Sequence, residues 1–218
     1  MKKVCLALAC VALLPQVSFG QQSGGVDVLK ASHSRTITAR STGTSTEVEQ
    51  GTYWLASDGR RRVERFNKVS GEHTAELFSP KDLRQTAMNV DTKEAVVGPV
   101  GGGMAIEPPS LKRGARHTGV PSGLREVSRD RSDLGTKTVG ALVLRGSRVT
   151  LVFAGGGTER VHHIEMWEYR PADPRVLPVV LEMRFETPEE IDERRITAVT
   201  QTRVAASIFA VPSDFTVR

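Results

Sequence analysis

Apolar and polar side chains alternate along most of this chain, a pattern typical of β-strands that bury one face. Stretches rich in Thr, Val, Ile and aromatic residues recur roughly every eight to twelve residues, with turn residues between them. Helical periodicity is almost absent, so the predicted fold class is mainly β, with only a minor helical contribution. In the first half the pattern predicts an antiparallel meander with strands at 34–40, 47–56, 60–69, 72–78, 83–89 and 95–98.

The second half has the same texture, with predicted strands at 136–139, 141–153, 160–169, 179–186 and 195–204. In the strand at 141–153 the apolar positions change from even numbers, at Leu142 and Leu144, to odd numbers, at Leu151 and Phe153. Gly146 lies near this change. A β-bulge at Gly146 would return one face to the core, whereas a hairpin there would divide the segment into two strands.

Residues 99–135 interrupt the strand pattern with a glycine triplet at 101–103, a proline pair at 108–109 and a long polar stretch. A segment of this length is typical of a functional loop or a linker, and we predict a polar, mobile loop. Within it, the spacing of Leu124, Val127 and Leu134 predicts a short helix over 123–133. The polar segment 188–194 fits either a loop or one helical turn.

The first twenty residues have the features of a secretory signal. Lys2 and Lys3 give a positive start, 4–14 is an apolar run, and Ser18 and Gly20 are the small residues before a cleavage site. The apolar run is shorter than the roughly 20 residues that a membrane span needs. We therefore predict cleavage after Gly20, export to the periplasm, no membrane span in the mature chain, and a single β-rich domain at 21–218.

Both cysteines lie within the predicted signal. Removal of Cys5 and Cys10 leaves no thiol for a disulfide, a thiolate metal site or a nucleophile. The alternative is lipidation of Cys10, which would make the protein an outer-membrane lipoprotein. Ordinary cleavage is favoured because Ala7 stands where a bulky aliphatic residue is expected.

The charge pattern does not indicate a nucleic-acid partner. The chain has 30 basic and 25 acidic residues, and loss of the two signal lysines leaves 28 − 25 = +3. With 5% aromatic residues and scattered arginines there is neither a stacking platform nor a basic groove. The one dense run fits a solvated strand start better than a bidentate phosphate site, and it comprises Arg60, Arg61, Arg62 and Arg65.

No recognised catalytic motif is present in the sequence. His162 and His163 would point to opposite faces of a strand, so they cannot share a metal ion without a kink. The acidic residues of the last strands lie near arginines, which predicts cross-strand ion pairs on a wet face. These residues are Glu182, Glu186, Glu189, Glu190, Asp192 and Glu193, with Arg184, Arg194 and Arg195. We expect no enzymatic activity, no metal site and no cofactor.

Four motifs stand out between residue 134 and the C-terminus: LGTKTV at 134–139, GSRVT at 146–150, MWEY at 166–169 and SIFAVPSDF at 207–215. Together they resemble uncharacterised exported bacterial proteins related to the outer-membrane lipoprotein carrier and receptor class, the LolA/LolB-like proteins. In the closing motif Pro212 cannot extend a strand ladder, so we expect this segment to fasten the C-terminus to the fold. Trp167 and Tyr169 depart from the adjacent aromatics of that class and would share one strand face.

The resemblance implies a strongly curved antiparallel sheet, an incomplete β-barrel with a helix or loop lid, and an apolar cavity that holds acyl chains. Its lining would comprise Val149, Leu151, Phe153, Trp167, Leu181, Met183 and Phe185, which are equally candidates for a packed core. The implied function is a monomeric, non-enzymatic module that binds a lipid, a lipoprotein or another apolar envelope component. The alternative is a periplasmic sensory domain that binds a membrane-anchored partner protein in envelope-stress signalling.

Overall fold

The computed structural model describes residues 25–99, 123–171 and 178–218. The predicted signal, Cys10 and most of the predicted loop at 99–135 lie outside these ranges. The first six strands are β1 (Gly25–Ala39), β2 (Ser45–Ala56), β3 (Arg61–Asn67), β4 (His73–Ser79), β5 (Arg84–Asn89) and β6 (Glu94–Pro99). The others are β7 (Arg125–Val139), β8 (Leu142–Gly155), β9 (Thr158–Tyr169), β10 (Val179–Glu186), β11 (Glu190–Ala205) and β12 (Thr216–Val217), with a 3₁₀ helix at Ala206–Phe209.

The described strands form one sheet in the order β12-β6-β5-β4-β3-β2-β1-β11-β10-β9-β8-β7. It consists of two antiparallel meanders, β1 to β6 and β7 to β11, as the two β-rich halves of the sequence predict. They join where β1 pairs along its whole length with β11, from Gly25 opposite Ala205 to Ala39 opposite Glu190. The short strand β12 adds in parallel to β6, the only parallel pair in the described sheet.

The sheet is strongly curved and open. Gln85 of β5 and Val180 of β10 line the same cavity of about 190 Å³, although six strand spacings separate them in the sheet order. A flat sheet would hold them roughly 29 Å apart, at about 4.8 Å per spacing. A Cβ placed on Gly140, in the β7–β8 turn, would likewise lie 2.9 Å from Cβ of Val199 in β11, three spacings away from β8. The predicted curved antiparallel sheet is confirmed.

Three local predictions are wrong. Residues Arg125–Val139 form the single long strand β7, not a loop followed by a short strand, and not a helix over 123–133. Most of the segment 188–194, predicted as a loop or a helical turn, is strand, because β11 begins at Glu190. Strand β1 begins at Gly25, nine residues before the predicted start at Ser34. β7 forms the edge of the sheet and is exposed along most of its length, so it lacks the apolar alternation that reveals a half-buried strand.

Strand β8 runs unbroken through Gly146 and pairs regularly with β9, so the predicted bulge of β8 at Gly146 and the alternative hairpin are both wrong. The irregularity lies in the neighbouring strand β7, where Leu134 is an extra residue between the pairs that Asp133 and Gly135 make with β8. Pairing of β8 with β9 is regular throughout. The parity change is therefore not cancelled: Leu144 and Leu151 lie on opposite faces of β8, and both are buried.

Gly146 is required because Trp167 lies directly across from it on β9. A Cβ on residue 146 would come within 2.6 Å of the Trp167 ring, and Lys137 also approaches this ring, with Nζ 4.2 Å from the ring centroid. We expect Gly146→Val to lower the free energy of unfolding by about 1 to 3 kcal/mol, since the indole must leave its packing position.

Urea unfolding monitored by circular dichroism measures this change. Ser147→Ala, at the next position of the same strand, is the matched control and should change stability by less than about 0.5 kcal/mol. Equal stabilities for Gly146→Val and the wild type would show that the indole position is not fixed.

Two apolar clusters hold the described sheet together. The larger one joins β1, β2 and β3 to β8 and β10, and its buried members are Ala31, Tyr53, Leu55, Val63, Leu142, Leu144 and Leu181. The smaller one lies on β4, β5 and β6 around Met88, and Val211 and Phe215 pack against it. The Arg62 guanidinium donates to the carbonyl oxygen of Ile208 at 2.9 Å. The closing segment thus fastens the C-terminus to the sheet, as its sequence predicts.

Candidate functional site

A cavity of about 190 Å³ lies on the concave face of the sheet, and we call it the arginine cavity. It takes side chains from strands that are far apart in the sheet order, which only the curvature brings together. Its lining residues are Tyr53, Arg61, Val63, Arg65, Glu76, Leu77, Phe78, Gln85, Pro178, Val179, Val180 and Arg194. Most ligand sites measure roughly 300 to 1,000 Å³, so this cavity has the size of a headgroup and not of a whole lipid.

Two of the three arginines are held by carboxylates. Arg65 donates from Nη1 to Glu76 Oε1 at 2.6 Å, and Gln85 donates to the other oxygen of Glu76 at 3.4 Å. Arg194 donates from Nη2 to Glu49 Oε1 at 3.3 Å. The Nε atoms of Arg65 and Arg194 are both buried and make no hydrogen bond with any residue that the structure describes. Each guanidinium therefore keeps donor capacity that its carboxylate partner does not use.

The third arginine, Arg61, has no ion-pair partner among the described residues. Its guanidinium lies over the ring of Phe78, 4.0 Å from the ring centroid. Burial lowers the pKa of Arg61, and the charge of Glu76 only partly opposes that effect. Arg61 is thus a desolvated cation whose stabilisation comes mainly from an aromatic face.

A buried polar pair supports the cavity from the neighbouring strands. His33 Nε2 lies 3.3 Å from Glu49 Oε1, and the carboxylate accepts this hydrogen bond. Gly51, directly opposite His33, leaves room for the imidazole: a Cβ there would lie 2.4 Å from Cε1 of His33. Although burial raises it, the pKa of Glu49 is lowered to about 2 by the hydrogen bond to His33 and the charge of Arg194. Burial lowers the pKa of His33, and the hydrogen bond to Glu49 only partly opposes that effect.

Five of the seven predicted lining residues share one face of β8, β9 and β10. Paired residues on neighbouring antiparallel strands lie on the same face, and the pairs Val149–Ile164, Ile164–Phe185, Met166–Met183 and Leu151–His162 connect this row. We call it the β8–β10 apolar face. It comprises Val149, Leu151, Phe153, Ile164, Met166, Met183 and Phe185.

The apolar face continues into the arginine cavity. Met183 pairs with Arg194 of β11, so these two side chains lie on the same face of the sheet. Val180, further along β10, lines the cavity itself. The face that carries Met183 and Arg194 therefore combines an apolar surface with one cationic side chain of the adjoining cavity.

The other two predicted lining residues lie elsewhere. Leu181 is completely buried in the larger apolar cluster, at a bulge in β10 between Val180 and Glu182. Trp167 pairs with Gly146 and lies on the opposite face of β9 from Ile164. Trp167 and Tyr169 share one face, as their spacing predicts, and both pack against the larger cluster.

No family model matches this sequence. No curated protein matches it. Among solved structures, it is similar to an uncharacterised conserved protein from Thermus thermophilus, with 13% identity, a TM-score of 0.39 and coverage of 86% of this chain and 89% of the other. A LolA superfamily protein from Nitrosomonas europaea aligns with 7% identity, a TM-score of 0.38 and coverage of 84% and 90%. A domain assigned to an outer membrane lipoprotein-sorting protein from Vibrio parahaemolyticus aligns with 8% identity, a TM-score of 0.32 and coverage of 84% and 87%.

The two neighbouring histidines lie on opposite faces of β9, as predicted. His162 is buried between the rings of Phe153 and Phe185, at centroid distances of 4.9 and 5.6 Å, and burial lowers its pKa. His163 Nδ1 lies 3.1 Å from the hydroxyl oxygen of Thr150. Within the described ranges, no group of three or more His, Cys, Asp or Glu residues is arranged to hold a metal ion. No helix in these ranges has the length and apolar character to cross a membrane.

The acidic residues of the last strands form the predicted cross-strand ion pairs. Arg184 donates across to its β11 partner Glu193 at 3.4 Å, and it also bonds to Glu186 of its own strand at 3.3 Å. The wet face was expected for all of them, but Arg35 and Asp192 form a part-buried bidentate pair at 2.8 and 2.5 Å. Glu182, paired with Lys137, is only 7% exposed and also accepts a hydrogen bond from the backbone of Ile196.

The sequence does contain two arginines of the cavity within a dense run, but its pattern predicts a solvated surface for them. The run at 60–62 and Arg65 was expected to be a solvated strand start. Arg61 and Arg65 instead lie on the concave face and line the cavity, whereas Arg62 lies on the other face and bonds to Glu64. Arg194 joins them only through the pairing of β1 with β11. No spacing along the chain indicates this contact.

Proposed function

We propose that this protein is an exported, non-enzymatic binding module that holds the apolar part of a lipid, a lipoprotein or a similar envelope component against the β8–β10 apolar face. The observation that carries the proposal is the incomplete burial of the centre of that face. Val149, Ile164, Met166 and Met183 form a continuous row and are only half-buried. An apolar surface of this kind gains free energy when an apolar ligand removes it from water.

The residue types of this face support a ligand site. Met166 and Met183 are directly paired at its centre. Methionine side chains are unbranched and polarisable, and they adapt to ligands of variable shape. The flanking residues Leu151, Phe153 and Phe185 are each less than 10% exposed and give the row a firm support.

Titration of the protein with N-phenyl-1-naphthylamine, an uncharged apolar fluorophore, tests the proposal. We expect saturable binding to the wild type and at least a tenfold weaker affinity in Met183→Glu, because the new carboxylate must be desolvated beside the ligand. Met183→Leu keeps the apolar surface and should retain the affinity within about threefold.

Val161→Glu is the matched control for this titration. Val161 is 36% exposed on β9 and pairs with Val152, on the face opposite His162. This variant should bind the fluorophore like the wild type. Absence of binding to the folded wild type, or equal losses in the two glutamate variants, would contradict the proposed site.

A sensory role remains the second candidate, because β7 offers a long free edge. It has one neighbour in the described sheet, is 15 residues long and is mostly exposed, as strands that bind a partner by β-strand addition are. Its many charged residues, among them Arg129, Asp130 and Arg131, disfavour such pairing. A pull-down from envelope extract separates the candidates: captured lipid or lipoprotein favours the binding module, and a single membrane protein favours the sensor.

A further inference from the structure

Resting on the proposed function, we infer that the arginine cavity binds the anionic headgroup of an amphiphile whose apolar chain lies on the β8–β10 apolar face. The group that fits is an oxyanion such as a phosphate monoester, which guanidinium groups bind through paired hydrogen bonds. This assigns a ligand class to the site and an orientation to the ligand.

The first observation is the unused donor capacity of the arginines. Buried N–H groups are almost always paired in folded proteins, yet Nε of Arg65 and Nε of Arg194 are buried and have no hydrogen-bond partner among the described residues. Both side chains line the same cavity. An oxyanion in that cavity would provide acceptors for guanidinium donors that the carboxylate partners leave unused.

The second observation is Arg61. Buried arginines are normally paired with a carboxylate, because an isolated desolvated cation is costly. Arg61 is half-buried and has only the Phe78 ring as its partner among the described residues. Arg61 therefore does not take part in an ion pair with the described residues, whereas a bound anion would pair with it.

The third observation is the charge balance and the size of the cavity. Its lining contains three arginines and one glutamate, which gives 3 − 1 = +2, and inclusion of the adjoining Glu49 still leaves +1. The volume of about 190 Å³ suits a small headgroup. The acyl chain must therefore lie outside it, and the pairing of Met183 with Arg194 places the apolar face directly beside the cationic wall.

Two ligands with the same chain but different headgroups test the inference. Decyl phosphate and 1-decanol, each below its solubility or micelle limit, are used to displace N-phenyl-1-naphthylamine from the protein. We expect decyl phosphate to compete about 10- to 100-fold more strongly than 1-decanol, the range of charge-assisted hydrogen bonds. In Arg61→Gln this preference should fall at least tenfold, while the affinity for 1-decanol stays unchanged.

Arg61→Gln is the informative variant because Arg61 has no carboxylate, among the residues that the structure describes, that its removal would leave unpaired. Arg125→Gln is the control for the loss of one positive charge, since Arg125 is exposed at the edge of the sheet. It should keep the full preference for decyl phosphate. Inorganic phosphate alone should compete at least tenfold more weakly than decyl phosphate.

The outcomes separate the inference from the proposed function. If both decyl compounds displace the fluorophore equally, the headgroup inference is overturned and the apolar site stands. If inorganic phosphate binds the protein as tightly as decyl phosphate and leaves the fluorophore in place, the cavity is a site for free phosphate and the inference is also overturned. If neither decyl compound binds, the proposed function itself fails.

Discussion

Leu144→Ala is expected to lower the free energy of unfolding by about 2 to 5 kcal/mol. Leu144 is completely buried in the cluster that joins the strands of the two meanders. Truncation removes apolar contacts and leaves a cavity that a curved sheet, held by hydrogen bonds on both sides of β8, cannot close. Urea unfolding followed by circular dichroism gives the change.

Val143→Ala is the matched control. Val143 is the preceding residue of the same strand, points to the other face and is 60% exposed. Its truncation should change stability by less than about 0.5 kcal/mol. Similar losses in the two variants would mean that the cluster around Leu144 does not hold the two halves together.

Glu49→Gln is expected to cost about 3 kcal/mol at pH 7, because a pKa shift of this size corresponds to roughly that difference between the ionised and neutral forms. The charge of Glu49 is stabilised by His33 and Arg194, and its pKa is lowered from 4.5 to about 2. Glutamine keeps the shape but not the charge, so Arg194 loses its partner. Urea unfolding at pH 7 measures the loss.

The pH dependence gives an independent check of this prediction. Because the carboxyl pKa is lower in the folded state, the contribution of Glu49 is fully present above about pH 4.5 and is lost as the pH falls towards 2. The stability difference between wild type and Glu49→Gln should therefore shrink below pH 4.5. Glu47→Gln, where the side chain is 42% exposed and pairs with Lys68, is the control and should cost less than about 1 kcal/mol. A constant difference between neutral and strongly acidic pH would contradict the assigned role.

The strands that bury one face were predictable because they alternate. The predicted strand at 179–186 coincides with β10, and the strand at 47–56 lies within β2. The alternation of the apolar residues of β10 does not, however, show the bulge in this strand. That bulge separates Leu181 from Met183 and Phe185 and places it in the larger apolar cluster. A bulge depends on how two strands pair, so the periodicity of a single strand does not indicate it.

The edge strand β7 could not be predicted from the sequence, for a related reason. β7 has one neighbour in the described sheet, and most of its side chains are exposed on both faces. It therefore does not need apolar residues at alternate positions. The alternation predicts the long strand β8, and it leaves a bulge or a hairpin at Gly146 as the explanation of the change of parity. The structure shows instead that the two ends of β8 bury opposite faces, in two different apolar environments.

By itself the sequence determined the class of the fold, the two meanders and the identity of the apolar residues, because period-2 alternation is a local property. Only the tertiary structure decided which face is concave. That choice turns Arg61 and Arg65 inward beside Arg194, although Arg194 lies more than a hundred residues away along the chain. The physical reason is the curvature of the sheet, which brings together strands that are remote in sequence and in sheet order. It places Arg61 and Arg65, which the sequence pattern predicts to be solvated, in the wall of a cavity.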